Sequence, residues 1–306
     1  MRHRSISLYV LLMLVLALML SACAPAATPT AAPTAAPQSG GQQQVLRLAT
    51  TTSTADTHLL DYLLPDFQAK YNARVDVVAV GTGQAIVIGA KGDADVLLVH
   101  ARKSEDKFVA DGNAKERFDV MINDFIVLGP KEDPAKAASA ATAADAFKAI
   151  MNAQATFASR GDQSGTNTKE LGIWSSFGIT PTKDLPWYKS LGQGMGDTLV
   201  FANEQKAYTL SDGGTYLSMK DKLPDLIIVL GGKSLAENKD KSLLNPYGVM
   251  AVNPVTHPGV NYDLALKFAK WLTSVETQQK IGDYGQDKYG QPLFYPSSAE
   301  WKAAHP

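Results

Sequence analysis

Cysteine is nearly missing from this chain. One residue of 306, Cys23, is a cysteine, so no intrachain disulfide can form. The motifs H-x-x-x-H and H-E-x-x-H are also absent, which leaves a metal site without sequence support. Neither sign of charge dominates: 29 Lys and Arg stand against 30 Asp and Glu. That balance argues against nucleic acid as the main partner. After Leu20 no apolar stretch approaches the roughly 20 residues that a membrane-spanning helix requires.

What the chain does have begins at its N-terminus. Arg2, His3 and Arg4 precede an apolar run from Ile6 to Leu20, which ends in Leu20-Ser21-Ala22-Cys23. A basic start, a short apolar middle and a small-residue exit describe a secretory signal over residues 1–22. The exit resembles the bacterial lipoprotein box, in which the cysteine is lipidated and becomes the mature N-terminus. Residues 23–44 then read as a tether: prolines recur among Ala and Thr, and after Cys23 there is no charge. At about 3.1 Å per residue such a segment would hold a domain roughly 60 Å from a membrane.

Beyond Val45, strands and helices alternate. Val45–Ala49, Val75–Val80 and Asp95–Val99 are apolar runs, each followed by helical spacing. A helix is expected from about Ala55 with a stripe through Leu59, Leu60, Leu63, Leu64 and Phe67. Further helices are expected over 85–90, 102–110, 134–151, 167–177, 200–210 and 263–273. Such alternation predicts a parallel α/β sheet covered on both faces. Two similar strands, near 122–126 and 245–250, read as crossovers. The expected architecture is two doubly wound α/β domains joined by two crossover strands. Domain I takes 45–122 and 250–306; domain II takes 123–249.

Five hydroxyl residues in a row, Thr50-Thr51-Thr52-Ser53-Thr54, sit at the first strand-to-helix junction. A helix N-terminus has free N–H groups and a partial positive charge. Hydroxyls placed there make either a cap or a cradle for an anion. Two more junctions carry small donors: Gly81-Thr82-Gly83 and Arg160-Gly161-Asp162-Gln163-Ser164-Gly165-Thr166. In open parallel sheets, ligands bind outside the carboxyl ends of the strands. Facing each other across a cleft, the three loops would surround a small anion, with Arg160 offering a fixed fork of donors. The candidate contacts are Thr51, Thr52, Ser53, Thr82, Gly83, Arg160, Ser164, Gly165 and Thr166. Thr50 is expected to close the strand and Thr54 to cap the helix. Arg160 and Asp162 also read as an ion pair, with Asp162 a helix cap.

Other readings of these loops fit less well. Gly81-Thr82-Gly83 starts like a dinucleotide fingerprint, but Ile86 replaces its third glycine and the next strand ends at His100, not at an acid. A secreted serine hydrolase would use Ser164, yet the surrounding residues lack nucleophile-elbow spacing. His58 reads as exposed. A sensory ectodomain for the same anion is a third reading.

Taken together, several segments resemble the tungstate-binding (TupA-type) proteins of ABC importers, within the periplasmic-binding-protein class. They are Ala49–Thr54, Val80–Ala85, Asp95–Ala101, Ser159–Thr166 with Lys169-Glu170, Tyr208–Asp212 and Asn245–Tyr247. The resemblance runs from about Val45 to Pro296. It implies a type II cleft that closes on a tetrahedral oxyanion, tungstate or molybdate, and hands it to a membrane permease, with no cofactor and no catalysis. It implies that Arg160, Thr166 and the 51–53 run contact the anion. Phosphate or sulfate is the neighbouring alternative. The implied protein is a monomer, held outside the cytoplasmic membrane by an N-terminal lipid. One departure stands out: Gly213 follows Asp212 where the family often has Arg.

Overall fold

Short apolar runs set the strands of this protein, and helices with one apolar face cover them. The computed structural model describes residues 43–306. The expected signal, the expected lipid site at Cys23 and all but the end of the tether lie outside the described residues. β1 (Gln44–Thr51) lies between β2 (Ala73–Val80) and β3 (Val96–Val99), parallel to both. Between these strands run α1 (Thr52–Asp56), α2 (Leu59–Tyr71) and α3 (Thr82–Ala90). All four residues of β3 are buried, as both-face covering requires.

α4 (Arg102–Ala110) leads into β4 (Phe118–Pro130), a strand of 13 residues. A second parallel set follows, in which β5 (Phe157–Ser159) pairs with β6 (Tyr188–Ser190) and β7 (Tyr208–Asp212). Its helices are α5 (Ala143–Asn152), α6 (Gly165–Ser175), α7 (Met195–Glu204) and α8 (Gly213–Met219). β8 (Leu226–Leu230) and β9 (Leu244–Ala251) come next, then α9 (Tyr262–Thr273), α10 (Val275–Asp283) and β10 (Tyr295–Pro296).

The strands follow the order β2-β1-β3-β9-β4-β7-β5-β6. The first half of β4 pairs with β9 and β10 and its second half with β7 and β8, all antiparallel. The sheet is therefore mixed, not wholly parallel as expected. A chain that crosses from one parallel set to the other and later returns runs in opposite senses on the two passages. β4 and β9 are those passages, and each pairs antiparallel with its neighbours.

Apolar packing divides along the same line. Leu48, Phe67, Leu98, Val249, Phe268 and Phe294 share a cluster drawn from both ends of the described chain. Phe147, Phe157, Trp174 and Tyr208 share another, drawn wholly from residues 125–243. Residues 43–306 nevertheless form one compact unit.

Three helices differ from expectation. The first starts inside the hydroxyl run, because extended Thr51 caps it, and it breaks at His58, whose φ is 59°. The stretch 134–151 is helical only from Ala143. Before that, Asp133 accepts the N–H groups of Ala137 and Ala138, which holds a short turn, and Thr142 caps α5. The helix expected over 200–210 ends at Glu204. Lys206 takes a left-handed φ of 50°, and Tyr208–Asp212 become the buried strand β7.

Gly129 marks the tightest packing in β4. A Cβ there would lie 2.5 Å from two ring carbons of Tyr208, which is fully buried. Gly129→Ala is expected to lower stability by about 1–3 kcal/mol through overpacking. Urea unfolding of the two proteins at one pH checks this; an unchanged midpoint would mean that the ring has room to move.

Candidate functional site

The five hydroxyls do not share one role. Thr50 Oγ1 donates to the Leu98 carbonyl at 2.8 Å and so ties β1 to β3. Thr51, not Thr54, is the N-cap: its Oγ1 accepts the Thr54 N–H at 3.3 Å. Thr54 lies within the helix, its hydroxyl 2.7 Å from that of Thr51. Ser53 Oγ is 3.2 Å from Thr51 Oγ1 and 3.1 Å from His100 Nε2. Thr52 points elsewhere, and its hydroxyl accepts from Arg160 Nη2 at 2.9 Å.

Arg160 leaves the end of β5 and is 2% exposed. Its Nη2 also meets Asp162 Oδ2 at 2.5 Å, so the expected ion pair is present. Asp162 is not the cap of α6, however. Its other oxygen accepts the Ser164 N–H, and Ser164 Oγ caps the helix by accepting from Asn167 N at 3.1 Å. Arg160 Nε and Nη1 and Thr166 Oγ1 are buried with no hydrogen-bond partner among the described residues. Unpaired buried donors carry a desolvation penalty of roughly 1–3 kcal/mol each, more when charged.

The second loop closes against this one. Thr82 Oγ1 accepts the Gly165 N–H at 3.1 Å. A Cβ on Gly81 would sit 3.0 Å from the Asp162 carbonyl, and one on Gly83 would sit 3.3 Å from that of Gln163. These glycines let two backbones meet. The loops after β1, β2 and β5 are thus in direct contact.

A hydroxyl that accepts from a protein N–H still has its own proton to give. Thr52, Thr82 and Ser164 are in that position, and Thr166 is wholly free. With Arg160 Nε and Nη1 they form a set of donors around the meeting loops. Thr51 and Ser53 are less available, because their hydroxyls are turned to His100 and to each other.

Sequence reasoning gave no role to His100, Asn245, Asn123 or Asp212. His100, Asp212 and Asn245 fell within the segments that carry the resemblance, without a role of their own; Asn123 was marked only by its place in an apolar strand. Asn245 Nδ2 donates to Asn123 Oδ1 at 2.8 Å, so its Oδ1 faces His100 Nδ1 at 3.0 Å. That arrangement puts the imidazole proton on Nδ1 and leaves Nε2 to accept from Ser53 or Thr51. Asn123 Nδ2 meets Asp212 Oδ1 at 3.3 Å, and Asp212 caps α8 by accepting from Thr215 N. Thr215 Oγ1 lies 3.2 Å from the Ser53 carbonyl. One buried chain of hydrogen bonds thus runs through β4 and β9 and joins α1 to α8.

Burial sets the protonation of this chain. Desolvation pulls His100 down to about 4, helped by the Arg160 charge and opposed by the Asn245 bond. Desolvation pushes Asp212 up to about 6, against its bonds from Thr215 and the pull of Arg160. His58 lies on the surface beside Asp61, 2.8 Å away. Among the described residues no histidine is hydrogen-bonded to Ser164; His100 attends to Ser53 and Thr51. A side chain at Gly213 would start 3.1 Å from Asp124 Oδ1, so an Arg there would meet a carboxylate of β4.

A family model described as a PBP superfamily domain matches residues 27–276. The chain belongs to that superfamily, in its TupA-type branch. The tungstate-binding protein TupA of Peptoclostridium acidaminophilum is 49% identical over 83% of this chain and 86% of its own length. A crystal structure of the tungstate ABC transporter from Geobacter sulfurreducens is 52% identical, covers 78% of this chain and 98% of its own, and has a TM-score of 0.69. The tungstate-binding protein TupA of Desulfovibrio alaskensis G20 is 40% identical, covers 83% of this chain and 99% of its own, and has a TM-score of 0.68. The fold is the type II periplasmic-binding-protein fold, and TupA-type proteins are substrate-binding transport proteins, not enzymes. Among the described residues no helix is long and apolar enough to cross a membrane.

The state of His100 gives a pH prediction. Its folded value, about 4, lies below the ordinary 6.5, so the unfolded chain binds the extra proton in that window. Stability therefore rises with pH from about 4 to 6.5. Relative to His100→Gln, the wild type should lose up to about 3 kcal/mol as pH falls across the window. Parallel urea titrations would show it; equal losses would mean that His100 is charged in the folded protein.

Proposed function

We propose that this protein captures tungstate outside the cytoplasmic membrane and delivers it to an ABC permease. The observation that carries the reading is that one loop holds both a buried, half-paired guanidinium, Arg160, and a buried, unpaired hydroxyl, Thr166. A tetrahedral dianion supplies acceptors for all of these donors. Tungstate is favoured over phosphate because the free groups are donors, whereas a protonated phosphate also needs an acceptor. The TupA relatives point the same way. The contacts in this proposal are Arg160, Thr166, Thr52, Thr82 and Ser164 with the backbone of Gly83. Gly165, whose N–H goes to Thr82, holds the two loops together; Thr51 and Ser53 contribute the N-terminus of α1. Molybdate, close to tungstate in size and charge, is the second ligand.

In this proposal 45–122 with 250–306 and 123–249 act as two lobes that swing about β4 and β9. No cofactor takes part. The protein works as a monomer, held to the outer membrane face by a lipid on Cys23. The lipoprotein-like Leu20-Ser21-Ala22-Cys23 supports the anchor. Cell fractionation after Cys23→Ala should release the protein from the membrane; retention would count against lipid anchoring.

Thermal shift on residues 43–306 tests the ligand. Tungstate at a thousandfold excess over its Kd should stabilise the fold by about 4 kcal/mol. Arg160→Ala should stay folded and bind at least about a hundredfold more weakly, since hydrogen bonds to a charged group are worth roughly 1.5–3 kcal/mol each. A shift with phosphate or sulfate alone would reject tungstate as the ligand.

A further inference from the structure

Glu170 has no place in the donor set, yet it is 2% exposed and sits one turn into α6. Its carboxylate takes four donors. Ser159 Oγ reaches Oε2 at 2.5 Å and Asn167 Nδ2 reaches it at 3.3 Å. Trp174 Nε1 and Tyr188 Oη reach Oε1 at 3.0 and 2.8 Å. Only an ionised carboxylate accepts four bonds without giving one.

Two of those donors bracket the loop that carries the anion contacts. Ser159 immediately precedes Arg160, and Asn167 immediately follows Thr166. Asn167 also extends the hold inward, since its Oδ1 accepts from the Gln163 N–H at 3.1 Å. Asn167 Nδ2 and Ser159 Oγ are themselves 3.2 Å apart, so the two ends of the loop meet at the carboxylate. We propose that Glu170 is a positioning residue: in its ionised form it staples the two ends of the Arg160–Thr166 loop, so that oxyanion affinity falls when it takes up a proton. This rests on the oxyanion reading above.

The surroundings favour a response in the working range of pH. Desolvation pushes Glu170 up to about 6, and its four hydrogen bonds pull the other way. The titratable group facing it is the phenol of Tyr188 on β6, itself raised well above its usual value by burial and by the Glu170 charge. On α6, Lys169 turns toward the Ser242 carbonyl. On α5, Asp145 and Lys148 pair with each other at the surface, 3.7 Å apart. Arg160 directs its Nη2 to Thr52 and Asp162. On β7, Asp212 also lies near 6, bonded to Thr215 and Asn123. A pH profile alone therefore does not separate Asp212 from Glu170, and the separation falls to Tyr188, whose hydroxyl donates to Glu170 and neighbours that of Ser159 but has no part in the Asp212 bonds.

Tungstate titration calorimetry on residues 43–306 between pH 5 and 8 tests the assignment. Glu170→Gln should raise Kd at pH 7.5 at least tenfold while near-UV circular dichroism stays that of the wild type. Ser159→Ala, which removes one tether and keeps the carboxylate, should weaken binding in the same direction. Tyr188→Phe should leave Kd at pH 7.5 within twofold and move the midpoint of the acid-side affinity loss to higher pH. A folded Glu170→Gln with wild-type Kd, or a Tyr188→Phe profile that overlays the wild type, would overturn the staple. No tungstate, molybdate, phosphate or sulfate binding by the wild type would overturn the oxyanion reading itself, and the staple with it.

Discussion

A guanidinium buried with too few partners is the constraint on which this structure turns. Arg160 is removed from water, and among the described residues only its Nη2 finds partners. Isolating a charge this way costs several kcal/mol unless something neutralises it. Asp162 does so in part. The remaining donors, together with Thr166, define what the site lacks: a compact acceptor with negative charge. The sheet topology, the loop glycines and the helix caps all hold that lack in place. β5 delivers Arg160, α6 fixes Thr166, and Gly81 and Gly83 let the facing loop approach.

The hydrogen-bond chain through Asn123 and Asn245 gives the site its second feature. Those residues sit opposite each other on β4 and β9, the two strands that pass between the parallel sets. At one end of the chain is His100, which orients Thr51 and Ser53; at the other is Asp212, which caps α8. A polar path through a buried interior specifies one arrangement, because every member depends on its neighbours for satisfaction. The donors of the site and the strands between the lobes therefore share one set of bonds.

Much of this was legible in the residues, and the gaps have physical causes. Apolar runs located β2 and β3 closely, and small donors marked the three loops. The crossover pairing was harder to see, because strand direction depends on where the chain has travelled, not on local pattern. The hydroxyl run misled by its uniformity. Five similar side chains have different tasks because Leu98, His100 and Arg160, all far away in sequence, choose among them. β7 looked helical because its buried residues continue the apolar content of α7; the left-handed turn at Lys206 separates the two. Glu170 gave no signal beyond its motif, since a buried carboxylate becomes visible only once its four donors converge.

Crystals of the protein grown with tungstate, with diffraction collected at the tungsten edge, put the central claim to its most direct test. The account predicts one strong anomalous peak, with anion oxygens in hydrogen-bonding reach of Arg160 Nε or Nη1 and of Thr166 Oγ1. A peak elsewhere, with those three atoms still unpartnered, would contradict it.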